Sequence, residues 1–409
     1  MSKIKVLDLF AGCGGLTEGF LQTGNIDEVA SVEWKEPQVK TLRNRLKTKW
    51  GISHADSSVL LQDIQQEDEL FYGTPSQKGL DSLVAERDGV DMIIGGPPCQ
   101  AYSIAGRVRD ENGMKDDYRN FLFEHYLSIV DRYKPDVFVF ENVPGLLSAK
   151  PTGTPVVDII TERFREKGYI ITLNLKQAIV NAADFGVPQN RKRVIIIGCS
   201  ATAFKNIDIQ EALNEFYSEI LPRQKVEKLI TVKDAIGDLP KCIPFYDVEH
   251  HSRRKSHSTP ECDITWHTPR YNNLRDMDTF KTLALDVETG RREYDSKKIA
   301  QLYEEKVGSS SPIHRYHVLE PNLPSTTIIA HLYKDGNRFI HYDSTQARTI
   351  TPREAARLQS FPDDFVFIGS QGNAYEMIGN AVPPKLAYAI AKSIIVFLKK
   401  YLPKKYANL

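Results

Sequence analysis

The 409-residue sequence carries no net charge: 53 lysines and arginines balance 53 aspartates and glutamates. That excludes a globally basic polyanion binder, so any contact with nucleic acid must come from local patches. Cysteine is sparse, with five residues (Cys13, Cys99, Cys199, Cys242 and Cys262) and no CxxC pair. The spacing argues against a disulfide framework and a zinc site, and no metal is expected. Free thiols suggest a reducing, cytoplasmic setting. No apolar run is read as long enough to span a membrane. The opening MSKIKVLDLF runs straight into a strand pattern and leaves no room for a signal peptide. Repeats and low-complexity tracts are lacking too. What is there is ordinary globular composition, 41% hydrophobic and 26% charged, enough chain for one large domain plus a second unit.

Short β-branched apolar runs recur through the first half: Ile4–Phe10, Val29–Val32, Val59–Leu61, Val90–Ile94, Val137–Phe140, Ile170–Leu175 and Val194–Ile197. Stretches with helical spacing, such as Phe121–Val130 and Val156–Phe164, lie between several of them. Alternating strands and helices predict an α/β, doubly wound sheet. Periodicity fades after about Ser200, and residues 241–275 hold His250, His251, Arg253, Arg254, Lys255, His257, Trp266, His267, Arg270 and Tyr271. It returns near Thr349, where Thr351-Pro352-Arg353-Glu354 offers a capping-box helix start. A last amphipathic helix follows Pro383-Pro384. The expected organisation is a catalytic domain over residues 1–200, an inserted domain over 201–345, and a return segment over 346–409 that completes the first.

Chemistry-bearing residues gather where the runs end. The first run gives way to Phe10-Ala11-Gly12-Cys13-Gly14-Gly15, with Gly19 beyond; the second to Glu33-Trp34, the third to Asp63, the fourth to Cys99 and the fifth to Glu141-Asn142. Ligands of open α/β sheets bind at the carboxyl ends of the strands, so these five ends read as one site. The glycine turn allows close backbone approach and leads into a helix N-terminus suited to an anionic group. Glu33 follows Gly12 at the spacing where an acid reaches ribose hydroxyls. Trp34 can pack on an adenine ring and Asp63 can accept from an adenine amino group, so the set suggests an adenosyl cofactor. A buried structural role is the commonest fate of a free cysteine. Cys99, however, closes Gly95-Gly96-Pro97-Pro98, where two prolines force the backbone out of the sheet and hold the thiol in a stiff loop. A thiol held there can act as a nucleophile.

Six segments occur in order: DLFAGCGGL (Asp8–Leu16), GGPPCQAYS (Gly95–Ser103), ENV (Glu141–Val143), QNRKR (Gln189–Arg193), RTITPREAARLQSFPDDF (Arg348–Phe365) and GNAVPP (Gly379–Pro384). With them the chain resembles the DNA cytosine-5 methyltransferases over residues 1–200 and 320–409. The resemblance implies a class I S-adenosylmethionine-dependent methyltransferase fold, with the inserted region as a target-recognition domain. It implies that Cys99 attacks C6 of a flipped-out cytosine, that Glu141 engages N3, and that Arg191 and Arg193 hold the base O2, the catalytic loop and the glutamate. S-adenosyl-L-methionine, converted to S-adenosyl-L-homocysteine, would lie against Phe10, Ala11, Gly12, Gly14, Gly15, Glu33, Trp34, Asp63, Pro97, Leu122, Asn380 and Val382. Double-stranded DNA would be contacted by Gln100, Ser103, Arg107 and Arg109 in a closing loop, and by Arg253, Arg254 and Arg270 in the inserted domain. Ala101-Tyr102 departs from the glycine-phenylalanine that many members carry, without touching the thiol. The type implied is a monomeric, cytoplasmic modification enzyme, functionally paired with a restriction endonuclease without a stable complex. Two alternatives stay open on the residues alone. One is an RNA enzyme using the same motifs, which would not need so long a variable region. The other is a catalytically dead DNA-binding module, against which the intact Cys99, Glu141, Arg191 and Arg193 argue.

Overall fold

Eight strands hydrogen-bond into one sheet: β1 (Ile4–Leu9), β2 (Ile26–Glu33), β3 (Val59–Leu61), β4 (Met92–Gly95), β5 (Val137–Asn142), β6 (Tyr169–Ile171), β7 (Ile179–Asn181) and β8 (Lys192–Ser200). The structure, a computed structural model, describes residues 3–98, 122–150, 154–247, 249–250, 254–308 and 316–409. The strand order is β3-β2-β1-β4-β5-β8-β6, with β7 also pairing β8. Strands β3, β2, β1, β4 and β5 are mutually parallel, whereas β8 runs antiparallel to β5, β6 and β7. This is the mixed, mostly parallel sheet of the class I methyltransferase fold. Parallelism carries the carboxyl ends of five strands to one edge. The chain winds outward from β1 to β3, then resumes on the other side at β4, so the order reverses between β1 and β4. Ligand crevices open at such a reversal.

Strands β1, β4 and β5 are buried along nearly their whole length, as expected of parallel strands covered on both faces. Helices Leu122–Tyr133 and Val156–Glu166 enclose an aromatic cluster. In it Tyr126 meets Phe138, Phe140 and Phe164 edge-on, and Phe138 stacks on Phe164 at 4.3 Å. The Tyr126 hydroxyl donates to Val139 O at 2.9 Å, so its polar end costs little when buried. Helix α1 (Gly15–Leu21) packs on the long helix Pro384–Tyr401. Gly19 makes that approach possible, because a Cβ there would lie 2.4 Å from Pro384 O. This glycine of the first motif therefore serves helix packing.

The stretch Gln371–Tyr401 is long and apolar enough, by composition, to cross a membrane, contrary to the sequence expectation. Of its most apolar window, 72% is buried inside the structure, as in core helices of folded proteins, and the stretch comprises two helices, Gln371–Asn380 and Pro384–Tyr401.

Two compact units partition the chain. The first comprises Met1–Phe185, Lys192–Glu227 and Val382–Leu409; the second comprises Gly186–Arg191 and Lys228–Ala381. The first holds the whole sheet. The second has few ladders and is organised by buried polar side chains. Gln189 Oε1 accepts from Ile328 N at 2.8 Å, and Arg348 donates through both Nη atoms to Glu354 at 2.6 Å. Arg353 donates to Thr265 O, Pro362 O and Phe365 O. Thr351 caps the helix Pro352–Leu358 in a capping box with Glu354. The compact division falls at 227/228 and 381/382, where motif order alone suggested 200/201 and 345/346.

Candidate active site

In the first unit, the turn after β1 is held in a left-handed conformation, with positive φ at Phe10 (58°), Gly12 (57°) and Gly14 (90°). Only glycine adopts it without cost, and at Gly14 a side chain would also meet Leu42 Cδ1 at 2.5 Å. Around Gly12, by contrast, nothing among the described residues lies within 4 Å of where a Cβ would sit, so they leave the tip of the turn open.

Glu33, at the end of β2, organises this turn. Its Oε2 accepts from Gly12 N at 3.0 Å, and its Oε1 accepts from Trp34 N at 3.0 Å and Lys35 N at 2.9 Å. Burial pushes its carboxyl above the usual range, against the pull of these three N–H groups. A carboxylate offers about four acceptor positions, so one remains for a ligand hydroxyl. Trp34 is 58% exposed, leaving much of its indole free to pack against a flat ring. Asp63 follows β3, half-buried, with Oδ1 accepting from Gln65 N at 3.0 Å. An open turn, a carboxylate with a spare lone pair and an exposed indole fit an adenosyl ligand.

Beyond β4, Gly96 and Pro97 lie against the end of β5. A Cβ on Gly96 would come within 2.6 Å of Glu141 Oε2, so the glycine makes room for that carboxylate. Asn142 Nδ2 donates to Pro97 O at 3.3 Å. On the other side, Arg193 Nε lies 2.8 Å from Glu141 Oε1, with both side chains 12% exposed. Leu122 is buried at the start of its helix, and Val382 is buried as well. Cys99, Gln100, Ser103, Arg107, Arg109 and Arg253 lie outside the described residues.

In the second unit, Arg191 is 2% exposed. Its Nη1 donates to Ile328 O at 2.7 Å, and its Nη2 to Gly379 O at 3.1 Å and Ala381 O at 3.0 Å. Of the two arginines expected to serve the glutamate, Arg193 pairs with it, while these bonds of Arg191 shape the backbone on either side of exposed Asn380. Arg254 is exposed, with φ 54°. Arg270 stacks 4.4 Å over the Tyr375 ring and donates to Leu332 O at 2.6 Å, which anchors its guanidinium within the unit.

Sequence reasoning missed the parts played by Gly96, Asn142 and Gln189, although each stands in a motif. Their partners are 45 or more residues away for Asn142 and Gln189, and no local signal marks such bonds.

Comparison with known proteins matches residues 4–396 to the family model of C-5 cytosine-specific DNA methylases. The chain is 31% identical to the type II methyltransferase M.Bpa9945I of Bacillus paralicheniformis, over 95% of this chain and 98% of that one. It is 32% identical to the type II methyltransferase M1.HphI of Haemophilus parahaemolyticus, over 95% and 86% of the two chains. Among solved structures it resembles one described as a DNA modification methyltransferase encoded within an E. coli prophage. The TM-score is 0.59 at 26% identity, covering 97% of this chain and all of that one. The chain belongs to the C-5 cytosine-specific DNA methylase family.

Proposed function

We propose that this DNA (cytosine-5-)-methyltransferase modifies a flipped-out cytosine within a specific double-stranded site through a covalent adduct at Cys99. The observation that supports it most is the Glu141 carboxylate, paired with Arg193 at 2.8 Å and flanked by Gly96, at the same sheet edge as the glycine turn. The cytosine leaves the duplex at a cost of a few kcal/mol of unstacking, offset by contacts from the inserted region. The Cys99 thiolate adds to C6 as Glu141 engages N3 and stabilises the charge developing on the ring, and any proton lent to N3 returns to Glu141 as the ring is methylated. Arg193 holds that carboxyl in place. C5, now enamine-like, accepts the methyl group that S-adenosylmethionine supplies. Loss of the C5 proton, to which water can serve as base, then expels the thiolate.

For the cofactor, Glu33, Trp34, Asp63 and the Phe10–Gly15 turn would hold the adenosyl half, with Pro97, Leu122, Asn380 and Val382 nearer the methionine half, as the family resemblance implies. Recognition of the site is assigned to residues 201–345, with Arg254 on phosphate. The protein acts in the cytoplasm as a monomer, protecting DNA from a cognate restriction endonuclease that it does not bind stably.

Purified protein is expected to move labelled methyl from S-adenosylmethionine into duplex DNA and not into tRNA. DNA containing 5-fluorocytosine should trap a Cys99 adduct, and no adduct would remove covalent catalysis from the proposal. Bisulfite sequencing of DNA from expressing cells would identify the site.

A further inference from the structure

Helix α1, which follows the glycine turn, has no exposed residue: all seven, Gly15 to Leu21, are buried. Asp8 of β1 holds it from within the core, through both the side chain and the backbone of Thr17. The Thr17 hydroxyl donates to Asp8 Oδ2 at 2.5 Å, closing a loop whose interior is the turn from Leu9 to Leu16. Glu33 ties the tip of that loop and the Asp8–Thr17 bond ties its root.

Asp8 is an expensive way to do this. It is 1% exposed in the second-last position of β1, and Oδ1 has no hydrogen-bond partner among the described residues. That oxygen belongs to a side chain lining a small cavity that Val6, Thr17, Phe20 and Glu28 also line. Glu28 differs: its two oxygens accept from Ser31 at 2.8 Å and Ser58 at 2.9 Å. A buried acid with one oxygen unsatisfied destabilises a fold where an aliphatic side chain would stabilise it. Proteins break such local rules chiefly where function requires it.

We propose that Asp8 is a positioning residue for methyl-donor binding: through Thr17 it fixes the root of the Phe10–Gly15 turn in its left-handed conformation. It touches neither cofactor nor DNA. This rests on the proposed cofactor reading, so its test includes a readout independent of cofactor.

That readout is Cys13, which sits inside the turn at 2% exposure; Cys199, fully buried in β8, serves as internal reference. Pulsed alkylation followed by mass spectrometry, alongside titration with S-adenosylmethionine, would be run on the full chain and on Asp8→Val, Thr17→Val, the double variant and Asp8→Asn. Asp8→Val and Thr17→Val are expected to speed labelling of Cys13 but not Cys199 and to weaken cofactor binding about tenfold, the effect of one lost buried hydrogen bond. The double variant should be no worse than either single one. Asp8→Asn, whose amide oxygen still accepts from Thr17, should restore both readouts, and affinity for duplex DNA should not move. Unchanged Cys13 labelling in Asp8→Val overturns the proposal. So does labelling of Cys13 and Cys199 that rises in step, which would mean general destabilisation. If Cys13 responds as expected but the wild-type protein binds no S-adenosylmethionine, the positioning of the turn stands and the cofactor reading fails.

Discussion

Arg193 Nε sits 2.8 Å from Glu141 Oε1 because their strands are antiparallel neighbours, with Ile195 opposite Glu141 and Val194 opposite Asn142. The guanidinium thus orients a carboxylate that one strand alone would leave free to rotate. Arg193→Met should lower turnover by about a hundredfold or more, the scale of a positioned acid or base. Affinity for S-adenosylmethionine should change little. Lysine should not rescue, since it lacks the planar fork. Methyl incorporation at saturating cofactor checks this, and turnover near the wild-type rate would remove Arg193 from the catalytic group.

Gly96→Ala tests the other side of the same carboxylate. The added methyl would lie 2.6 Å from Glu141 Oε2, so the carboxylate or the loop has to shift. Displacement of about 1 Å at a reacting group can cost on the order of a hundredfold in rate. Activity should fall as in Glu141→Gln, with cofactor affinity retained. A fully active Gly96→Ala protein would show that Glu141 does not need its observed position.

Arg191, two residues upstream, should behave differently. Its guanidinium binds three carbonyls of the second unit, two of them in buried bonds. Arg191→Met leaves those acceptors unpaired, at a cost of about 2–5 kcal/mol. Denaturant unfolding should show that loss, whereas Arg193→Met should cost less, since the contact it gives up is one ion pair with Glu141. Equal stabilities for the two variants would contradict the assignment.

The second unit should be acid-sensitive. Burial, with Arg348 beside it, lowers the His341 imidazole to about 4. Arg348 pulls the buried Glu354 carboxyl down to about 2 against desolvation. Asp343 and His267 also face His341. Both groups bind fewer protons folded than unfolded, so each adds stability at neutral pH that is lost on acidification. For His341 the loss runs from about pH 6.5 to 4, and for Glu354 from about 4.5 to 2. Hydrogen exchange over residues 330–360 should quicken as pH falls through the first window, after correction for intrinsic rates. Protection that is flat from pH 7 to 4 would contradict it.

The sequence exposed the parts of the fold that local pattern controls. The run Val59–Leu61 is β3 as expected, the other runs overlap their strands, and Thr351-Pro352-Arg353-Glu354 starts its helix with the expected cap. The strand ends were legible because parallel pairing sends them to one edge. Arg191 and Arg193 were not separable. They stand two apart in one motif, and only tertiary partners 137 to 190 residues distant draw the first into the second unit. Arg353, at 88 residues from Thr265, is equally silent in sequence. Asp8 carries a local trace: an acid flanked by Leu7 and Leu9 in the buried half of a strand whose other charged residue, Lys5, is only half-buried.

That acid sets the opposite pH dependence in the first unit. Burial pushes the Asp8 carboxyl up to about 7 from its ordinary 3.8; Glu28 and Glu33 add to the rise and the Thr17 bond opposes it. Tyr126 faces it as well, uncharged in this range. Here the folded state binds more protons than the unfolded one between about pH 4 and 7, so stability falls as pH rises through that interval. Above it the full cost applies, about 4 kcal/mol for a shift of about three units. Asp8→Asn removes the ionisation and keeps the acceptor for Thr17. The variant should match wild type near pH 4 and exceed it by several kcal/mol at pH 8, read from urea unfolding of the first unit. A difference that is the same at both pH values would mean that Asp8 does not take up its proton in the folded state, and that the root of the glycine turn is held by a carboxylate.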